Sequence, residues 1–420
     1  MTKERPRKKV LIYVPKIYEP EQDLFTGDKS GLAMYVHEIA DSIKEQVSVY
    51  ILTYKFTKAV VLNNLNYVSH TKKDFFSGLN VQNVARGLKK AVAASGGVKL
   101  RLKALYWACD IGSFEAQLKA LEPDIVHFHG ANPELMEQIS ICRKYRVPFL
   151  VTLHGFVGDL QGKGAVRATQ RSERRFLQEA DKQGWPVTVV SSGAKRRACE
   201  MYHLSGDNIS VILNGTNISV KSKLPLTSEE IHARYGLRPN CKIITCVGTI
   251  CERKNQEAVV RAWTRLSTEL REEYAVLFLG VDRTEGRIQA QIGLAGAQSE
   301  LVLCGFVDSR ELPSYYQAAD LNILASVDEG FGLSIIEAMR YGVPTLTFRD
   351  LDAIDDLYDP TAMLLVEDRT DNALARGIRC ALEKKWDHSA ITAASQRYLM
   401  DNIGRQYTNL YHEVISKWVW

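Results

Sequence analysis

Between Leu321 and Phe348 the chain changes its hydrophobic period twice. Leu321 to Ala325 is a short apolar run, the pattern of a buried strand. A turn follows with glycines at 330 and 332, and then Leu333 to Tyr341 reads as a helix. Gly342 and Pro344 stop that helix and launch a second strand, Thr345 to Phe348. Two strands joined by a helical crossover must lie parallel in one sheet. The same alternation recurs along most of the chain, so the fold class is α/β with doubly wound, mostly parallel sheets.

This unit favours an anion. The start of its helix gathers unpaired backbone N–H groups at the positive end of the helix dipole. Gly330 and Gly332 leave room for a ligand to approach the backbone. Two glutamates flank the turn: Glu329 on the loop and Glu337 about one turn into the helix. Glu337 is placed to accept hydrogen bonds from hydroxyls on the same ligand, and Glu329 faces what lies beyond the phosphates. An anion with hydroxyls on both sides describes a sugar nucleotide.

At 420 residues two domains are expected, because single cores stop growing at roughly 250–300 residues. In order, strands are read at Lys9–Val14, Val47–Thr53, Leu62–Val68, Asp124–Phe128, Pro148–Leu153, Val187–Val190 and Ile209–Leu213. A second series follows at Ile243–Val247, Ala275–Leu279, Leu301–Cys304, Leu321–Leu324, Thr345–Phe348 and Met363–Val366. Residues 216–238 separate the two series. They are polar and contain a capping-box pattern beginning at Thr227. The expected organisation is a first Rossmann-like domain over 1–215, a linker over 216–238 and a second Rossmann-like domain over 239–395. A helix over 396–420 is expected to cross back to the first domain. Ligands of such sheets bind beyond the carboxyl ends of the strands, here in a cleft between the domains.

Charge and cysteine usage narrow the partners. Residues 1–215 carry 31 Lys/Arg against 21 Asp/Glu, and residues 216–420 carry 23 against 28. From Phe75 to Cys109 there are six basic residues and no acidic one. Such a surface attracts an anionic membrane or an anionic acceptor. It lacks the aromatic interleaving of a nucleic-acid platform. The eight cysteines have no metal-ligand spacing and read as reduced thiols. No apolar run approaches the length of a membrane span, and Val10–Val14 is too short for a signal-peptide core. The expected location is the cytoplasm, with peripheral contact at the inner face of the plasma membrane. A G-x-G-x-x-G fingerprint is absent, which argues against a nicotinamide cofactor.

The strand ends supply the remaining candidates. Lys254, with Arg253 beside it, follows a strand and a glycine and can neutralise a diphosphate leaving group. His154 ends the strand L-V-T-L-H and can donate a hydrogen bond to a sugar hydroxyl or phosphate. His127-Phe128-His129 and Ser191-Ser192 end neighbouring strands. Phe306 and Phe331 are candidates to wall a base or sugar pocket. Asp350-x-Asp352 has metal-binding spacing but lies in a loop after the paired-glutamate block, so it reads as structural and no metal is expected.

The blocks V-G-T-I-C-E-R-K-N-Q (247–256), C-G-F-V-D (304–308), E-L-P-S-Y-Y-Q-A-A-D (311–320) and E-G-F-G-L-S-I-I-E-A-M-R-Y-G-V-P-T (329–345) resemble family 4 glycosyltransferases of the GT-B fold. In the first half G-L-A-M-Y-V-H-E-I-A, P-D-I-V-H-F-H-G, V-T-L-H-G and V-I-L-N-G-T extend the resemblance over nearly the whole chain. The resemblance implies a GT-B architecture and the following roles. Glu337 binds the ribose hydroxyls, and Glu329 contacts the donor sugar near its reacting face. The amides of Phe331, Gly332, Leu333 and Ser334 meet donor sugar and phosphates. Lys254 binds the diphosphate, His154 faces the donor sugar, and Gly31 belongs to a first-domain loop near the phosphates. Thr249 stands where many members carry an arginine, and Arg253 is the candidate to supply that charge.

The implied reaction is retaining transfer of a hexosyl group from a nucleoside diphosphate sugar to an acceptor hydroxyl, without a metal or other cofactor. A UDP-sugar is the favoured donor. The acceptor is expected to be lipid-linked, a glycan or a polyanion, in polysaccharide or glycoconjugate assembly at the cell envelope. Two other readings use the same features: a sugar-nucleotide epimerase of this architecture, and a non-catalytic nucleotide-sugar-binding partner of another transferase.

Overall fold

The computed structural model describes residues 7–14, 31–53, 59–68, 85, 111–156, 165–217 and 224–418. They fall into two compact units. One comprises Met1–Val190, Ala194–Ile212 and Met400–Trp420, and the other Ser191–Gly193 and Leu213–Leu399. The glycine loop before Gly31 and, apart from Ala85, the basic Phe75–Cys109 segment lie outside the described residues.

The first unit is built on an eight-stranded sheet. Its strands are β1 (Lys9–Tyr13), β2 (Ser48–Leu52), β3 (Val60–Leu62), β4 (Leu65–Val68), β5 (Ile125–His129), β6 (Phe149–Leu153), β7 (Val187–Val189) and β8 (Ile209–Val211). Their order is β3-β4-β2-β1-β5-β6-β7-β8. All neighbours are parallel except β3 and β4. The sequence predicts one strand over Leu62–Val68, and a hairpin stands there instead. Asn63 and Asn64 turn it at φ 48° and 66°. Asparagine tolerates that left-handed backbone, which two-residue hairpin turns require. The central strands β5 and β6 are buried along their whole length, which explains why they read as unbroken apolar runs.

The carboxyl-terminal helix, Met400–Lys417, belongs to this first unit and packs against the helix Gly31–Ile43. Gly404 permits the approach, since a Cβ there would stand 2.6 Å from Ser42 Oγ. Thr408 Oγ1 donates to Gln46 Oε1 at 2.7 Å. On the sheet side, the buried hydroxyl of Tyr411 lies 2.7 Å from His127 Nδ1, and His127 Nε2 lies 2.6 Å from Thr152 Oγ1. Thr152 continues to Thr188 Oγ1. A polar seam thus crosses β5, β6 and β7 beneath the helix. Loss of hydration pulls the His127 imidazole down to about 3, with His154 acting in the same direction, so His127 is neutral in the native protein.

The second unit holds a six-stranded, wholly parallel sheet. Its strands are β9 (Lys242–Val247), β10 (Tyr274–Leu279), β11 (Leu301–Gly305), β12 (Ala319–Leu324), β13 (Thr345–Phe348) and β14 (Met363–Val366), in the order β11-β10-β9-β12-β13-β14. The capping box at Thr227 forms as its residue pattern predicts. Glu230 N donates to Thr227 Oγ1 at 3.2 Å, and Thr227 N donates to Glu230 Oε2 at 2.8 Å. The helix it opens, Ser228–Tyr235, packs Ile231 into a core with Ile243, Leu277 and Tyr315. The block over 311–320 spans two elements. Its helix is Leu312–Gln317, and Ala319 already belongs to β12. The Asp320 carboxylate accepts the amide of Ile243 at 3.0 Å and ties the start of β12 to β9.

Two features fix the carboxyl edge of this sheet. Asn322 is fully buried at its centre. It accepts from Thr245 Oγ1 at 3.3 Å and donates to Thr345 Oγ1 at 3.1 Å and to the Ser334 carbonyl at 3.3 Å. One side chain therefore ties β9, β12 and β13 to the following helix. At the ends of β9 and β10 the backbones touch, because Gly248 N donates to the Leu279 carbonyl at 2.9 Å. A Cβ on Gly280 would lie 2.1 Å from the Gly248 carbonyl oxygen, so only glycine fits.

Gly280→Ala should therefore part the ends of β9 and β10 and cost about 2–4 kcal/mol, read as a lowered denaturant midpoint of the second unit. An unchanged midpoint contradicts this packing. For His127 the sign runs with acid. An unfolded imidazole gains its proton near pH 6.5 while the native one stays neutral to about 3. Native stability contributed at this position thus falls as pH drops, by about 1.4 kcal/mol per pH unit between those values. The stability advantage of wild type over His127→Gln should narrow between pH 7 and pH 5 in urea titrations; a constant gap refutes a neutral buried His127.

Candidate active site

In the second unit the site residues converge because parallel strands end on one edge. After β9, Gly248 takes φ 132° and the chain enters a 3₁₀ turn, Glu252–Lys254. Asn255, at φ 53°, redirects it into the helix Gln256–Trp263. Buried Gln256 holds this loop from behind. Its Nε2 donates to the carbonyls of Gly248 and Thr249 at 3.4 and 3.2 Å, and its Oε1 accepts the Cys251 amide at 3.3 Å. The Lys254 side chain lies along Gly248, whose added Cβ would stand 3.4 Å from Lys254 Cε.

The loop after β12 meets that turn. Val327 N donates to the Arg253 carbonyl at 2.8 Å, and Arg253 Nη1 donates to the Asp328 carbonyl at 2.8 Å. Glu329 Oε2 then accepts from Lys254 Nζ at 2.5 Å and from Ser326 Oγ at 3.1 Å, with Arg253 Nη1 at 3.5 Å. Both lysine and glutamate are largely shielded from water, whereas Arg253 is exposed. Arg369 secures the same loop from the far side. It donates to the Ser326 carbonyl at 3.0 Å, lies 4.4 Å from the Phe348 ring centroid and pairs with Asp350 at 2.7 Å. Asp350 thus serves an ion pair with Arg369. Among the described residues no group of three or more His, Cys, Asp or Glu is placed to hold a metal ion.

Gly332 stands at the N-cap of the helix Leu333–Arg340 with φ 97°. A Cβ there would press to 3.1 Å on Leu324 Cδ2 and Ile335 Cδ1. Gly332 brings no capping side chain, no described residue is seen to cap this helix, and its first turn holds no acidic residue. Its leading amides and the positive end of its dipole are therefore open to an external anion. One turn on, Glu337 Oε2 accepts from the buried Tyr316 hydroxyl at 2.7 Å. Loss of hydration raises the Glu337 carboxyl above its ordinary range, opposed by the Tyr316 hydrogen bond and the charge of Lys254. The two expected aromatic walls differ. Phe306 is 50% exposed beyond β11, whereas Phe331 is 3% exposed and packs edge-on against Tyr398. The Phe331 ring therefore does not wall a ligand pocket as expected.

In the first unit His154 follows β6. Its Nε2 lies 2.9 Å from His129 Nδ1, and its ring meets Tyr35 edge-to-face at 5.7 Å. Tyr35 stands on the helix that begins at Gly31. The second unit thus brings Lys254, Arg253 and Glu329 into one cluster, with Gly332, Leu333, Ser334 and Glu337 on the adjoining helix. His154 and Gly31 belong to the first unit. Sequence reasoning passes over Gln256, Ser326, Tyr316 and Arg369, which orient that cluster. The one available signal is a glutamine at 256, a polar residue opening an apolar helix.

Comparison with known proteins identifies the family and the fold. A family model described as Glycosyltransferase Family 4 matches residues 29–220, and one described as Glycosyl transferases group 1 matches 227–397. Among curated relatives, a Bacillus subtilis glycosyltransferase, TuaC, named for teichuronic acid biosynthesis, is 26% identical over 270 residues. That match spans 63% of this chain and 63% of TuaC, short of two thirds of the relative's length. A D-inositol 3-phosphate glycosyltransferase of Thermobispora bispora is 25% identical over 344 residues, 76% of this chain and 74% of that one. Among solved structures, Anabaena HepE in complex with UDP and glucose superposes with a TM-score of 0.71 at 16% identity, over 97% of this chain and 100% of that one. The two Rossmann-like parallel-sheet units are those of the GT-B fold. With its two halves matched by the two models, the chain belongs to the family 4, group 1 glycosyltransferases.

Proposed function

We propose that the protein transfers a hexosyl group from a nucleoside diphosphate sugar to an acceptor hydroxyl, with retention of anomeric configuration. The observation that carries this reading is the Lys254–Glu329 pair beside an uncapped helix start at Gly332, with Glu337 one turn along that helix. A cation and several open amides at one point suit a diphosphate, and a carboxylate one turn away suits the hydroxyls of its ribose. Exposed Phe306 offers a face for the base.

As the glycosidic bond breaks, negative charge grows on the departing diphosphate. Lys254, Arg253 and the amides of Gly332 to Ser334 stabilise it in place. Positive charge grows at the anomeric carbon, and Glu329 stands by the cations that hold the leaving group, suited to oppose it. The departing phosphate takes the acceptor's proton on the face it leaves, which gives retention. His154 donates a hydrogen bond to an oxygen of the donor sugar. Lys254 and Arg253 fill the charge-neutralising role, so no metal is required for turnover. HepE has been solved with UDP and with UDP-glucose, which favours a UDP-sugar here. The teichuronic acid biosynthesis in TuaC's name favours an acceptor in polysaccharide assembly, here taken to be that of the cell envelope. The Phe75–Cys109 charge is suited to hold a polyanionic or lipid-linked acceptor or the cytoplasmic membrane face.

Glu337→Ala should weaken nucleoside diphosphate binding by about tenfold or more, whereas Glu329→Ala should bind it and lose turnover. Calorimetry and initial rates separate the two, and Glu337→Ala with intact affinity would show the division of labour to be wrong. Lys254→Ala should lower kcat by about 10²–10³. Proton NMR of the product should show the donor's anomeric configuration, and an inverted product excludes the retaining mechanism. Chelation should leave the rate unchanged; loss of activity restored by a divalent cation would disprove metal independence.

A further inference from the structure

We propose that His129 is a positioning residue that locks His154 in the tautomer with its proton on Nδ1, so that His154 offers a hydrogen-bond donor to its ligand. This inference rests on the placement of His154 at the donor sugar. Its structural part rests on the first unit alone.

His129 Nδ1 and His154 Nε2 are 2.9 Å apart, with ring planes inclined by 22°. Loss of hydration pulls both imidazoles down, His154 to about 4 and His129 well below its ordinary value, so both are neutral near pH 7. Two neutral imidazoles facing each other share one proton. Either His129 donates and His154 accepts, or the reverse.

The other side of His129 decides. Its Nε2 is buried and has no hydrogen-bond partner among the described residues. A proton there would leave a buried N–H without an acceptor. A lone pair there costs less, since orphaned buried donors are rarer than under-satisfied acceptors. The His129 proton therefore sits on Nδ1 and points at His154 Nε2. His154 then carries its own proton on Nδ1, for which the described residues supply no partner. That N–H is available to a hydroxyl or phosphate oxygen, and neither nitrogen of His154 is left to act as a general base.

His129 cannot readily turn to escape this arrangement. His127 packs against it, ring centroids 4.1 Å apart, and is itself held at both nitrogens by Tyr411 and Thr152. The tautomer of His154 is thus set by a fixed second histidine, in the way a hydrogen bond at one ring nitrogen dictates the state of the other.

The test is long-range ¹H–¹⁵N NMR of histidine-labelled full-length protein, with kinetics on two variants. Wild type should show His154 protonated at Nδ1. His129→Asn keeps an N–H where Nδ1 stood and should retain both the tautomer and a rate within about threefold of wild type. His129→Leu removes the donor and should release His154 to a tautomer mixture with kcat lowered roughly tenfold. An Nε2-protonated His154 in wild type, or an unchanged tautomer in His129→Leu, overturns the proposal. The wild-type spectrum decides even if His129→Leu fails to fold. Full turnover by His154→Ala would instead refute the placement of His154 at the donor, and the spectrum separates that outcome from a wrong tautomer.

Discussion

All six strands of the second sheet run parallel, and the part of the candidate site that lies in the second unit follows from that constraint. Parallel strands end on one edge, so the loops after β9, β10, β11 and β12 emerge side by side. Residues far apart in sequence become neighbours. Lys254 and Glu329, separated by 75 positions, form an ion pair because their strands are hydrogen-bonded partners. Asn322 holds this edge in register by bonding to β9, to β13 and to the helix after β12 at once. A buried polar group that satisfied is strongly directional, and any shift of one strand would leave it unpaired.

The same edge concentrates charge where hydration is reduced. Lys254 and Glu329 sit together beside an uncapped helix start. In water a pair of this kind contributes little, but partial burial strengthens its field. The glutamate satisfies the cation without neutralising the open amides, so the site keeps an attraction for an anion. Glu337 differs from Glu329 in that its hydrogen bond comes from a neutral hydroxyl, Tyr316, and its carboxyl is raised by burial. Two carboxylates eight positions apart thus have unlike partners, which underlies their unlike proposed roles.

The fold was largely legible in the sequence because a parallel α/β sheet writes its strands as short apolar runs. β13 and β14 match their expected bounds, and most other strands do so within one or two residues. The error at Leu62–Val68 arose because Asn63-Asn64 interrupts a strand-like composition, and periodicity does not register a two-residue turn. The candidate cluster was legible only as residue types at strand ends. What escaped was partnership. Nothing local to Phe331 says that its ring turns inward to Tyr398, a residue 67 positions away. Arg369 on the loop before a distant helix, and Gln256 beneath its own loop, act through contacts made only after folding. His129 was visible as a strand-end residue, but its pairing with His154 depends on the register of β5 against β6.

The most direct test of the account is a crystal structure of the protein with a bound nucleoside diphosphate. The diphosphate is expected on the amides of Gly332 to Ser334, with Lys254 Nζ turned from Glu329 to a phosphate oxygen and the ribose hydroxyls on Glu337. A diphosphate bound elsewhere, with the Lys254–Glu329 pair intact and Glu337 free of the ribose, would contradict it.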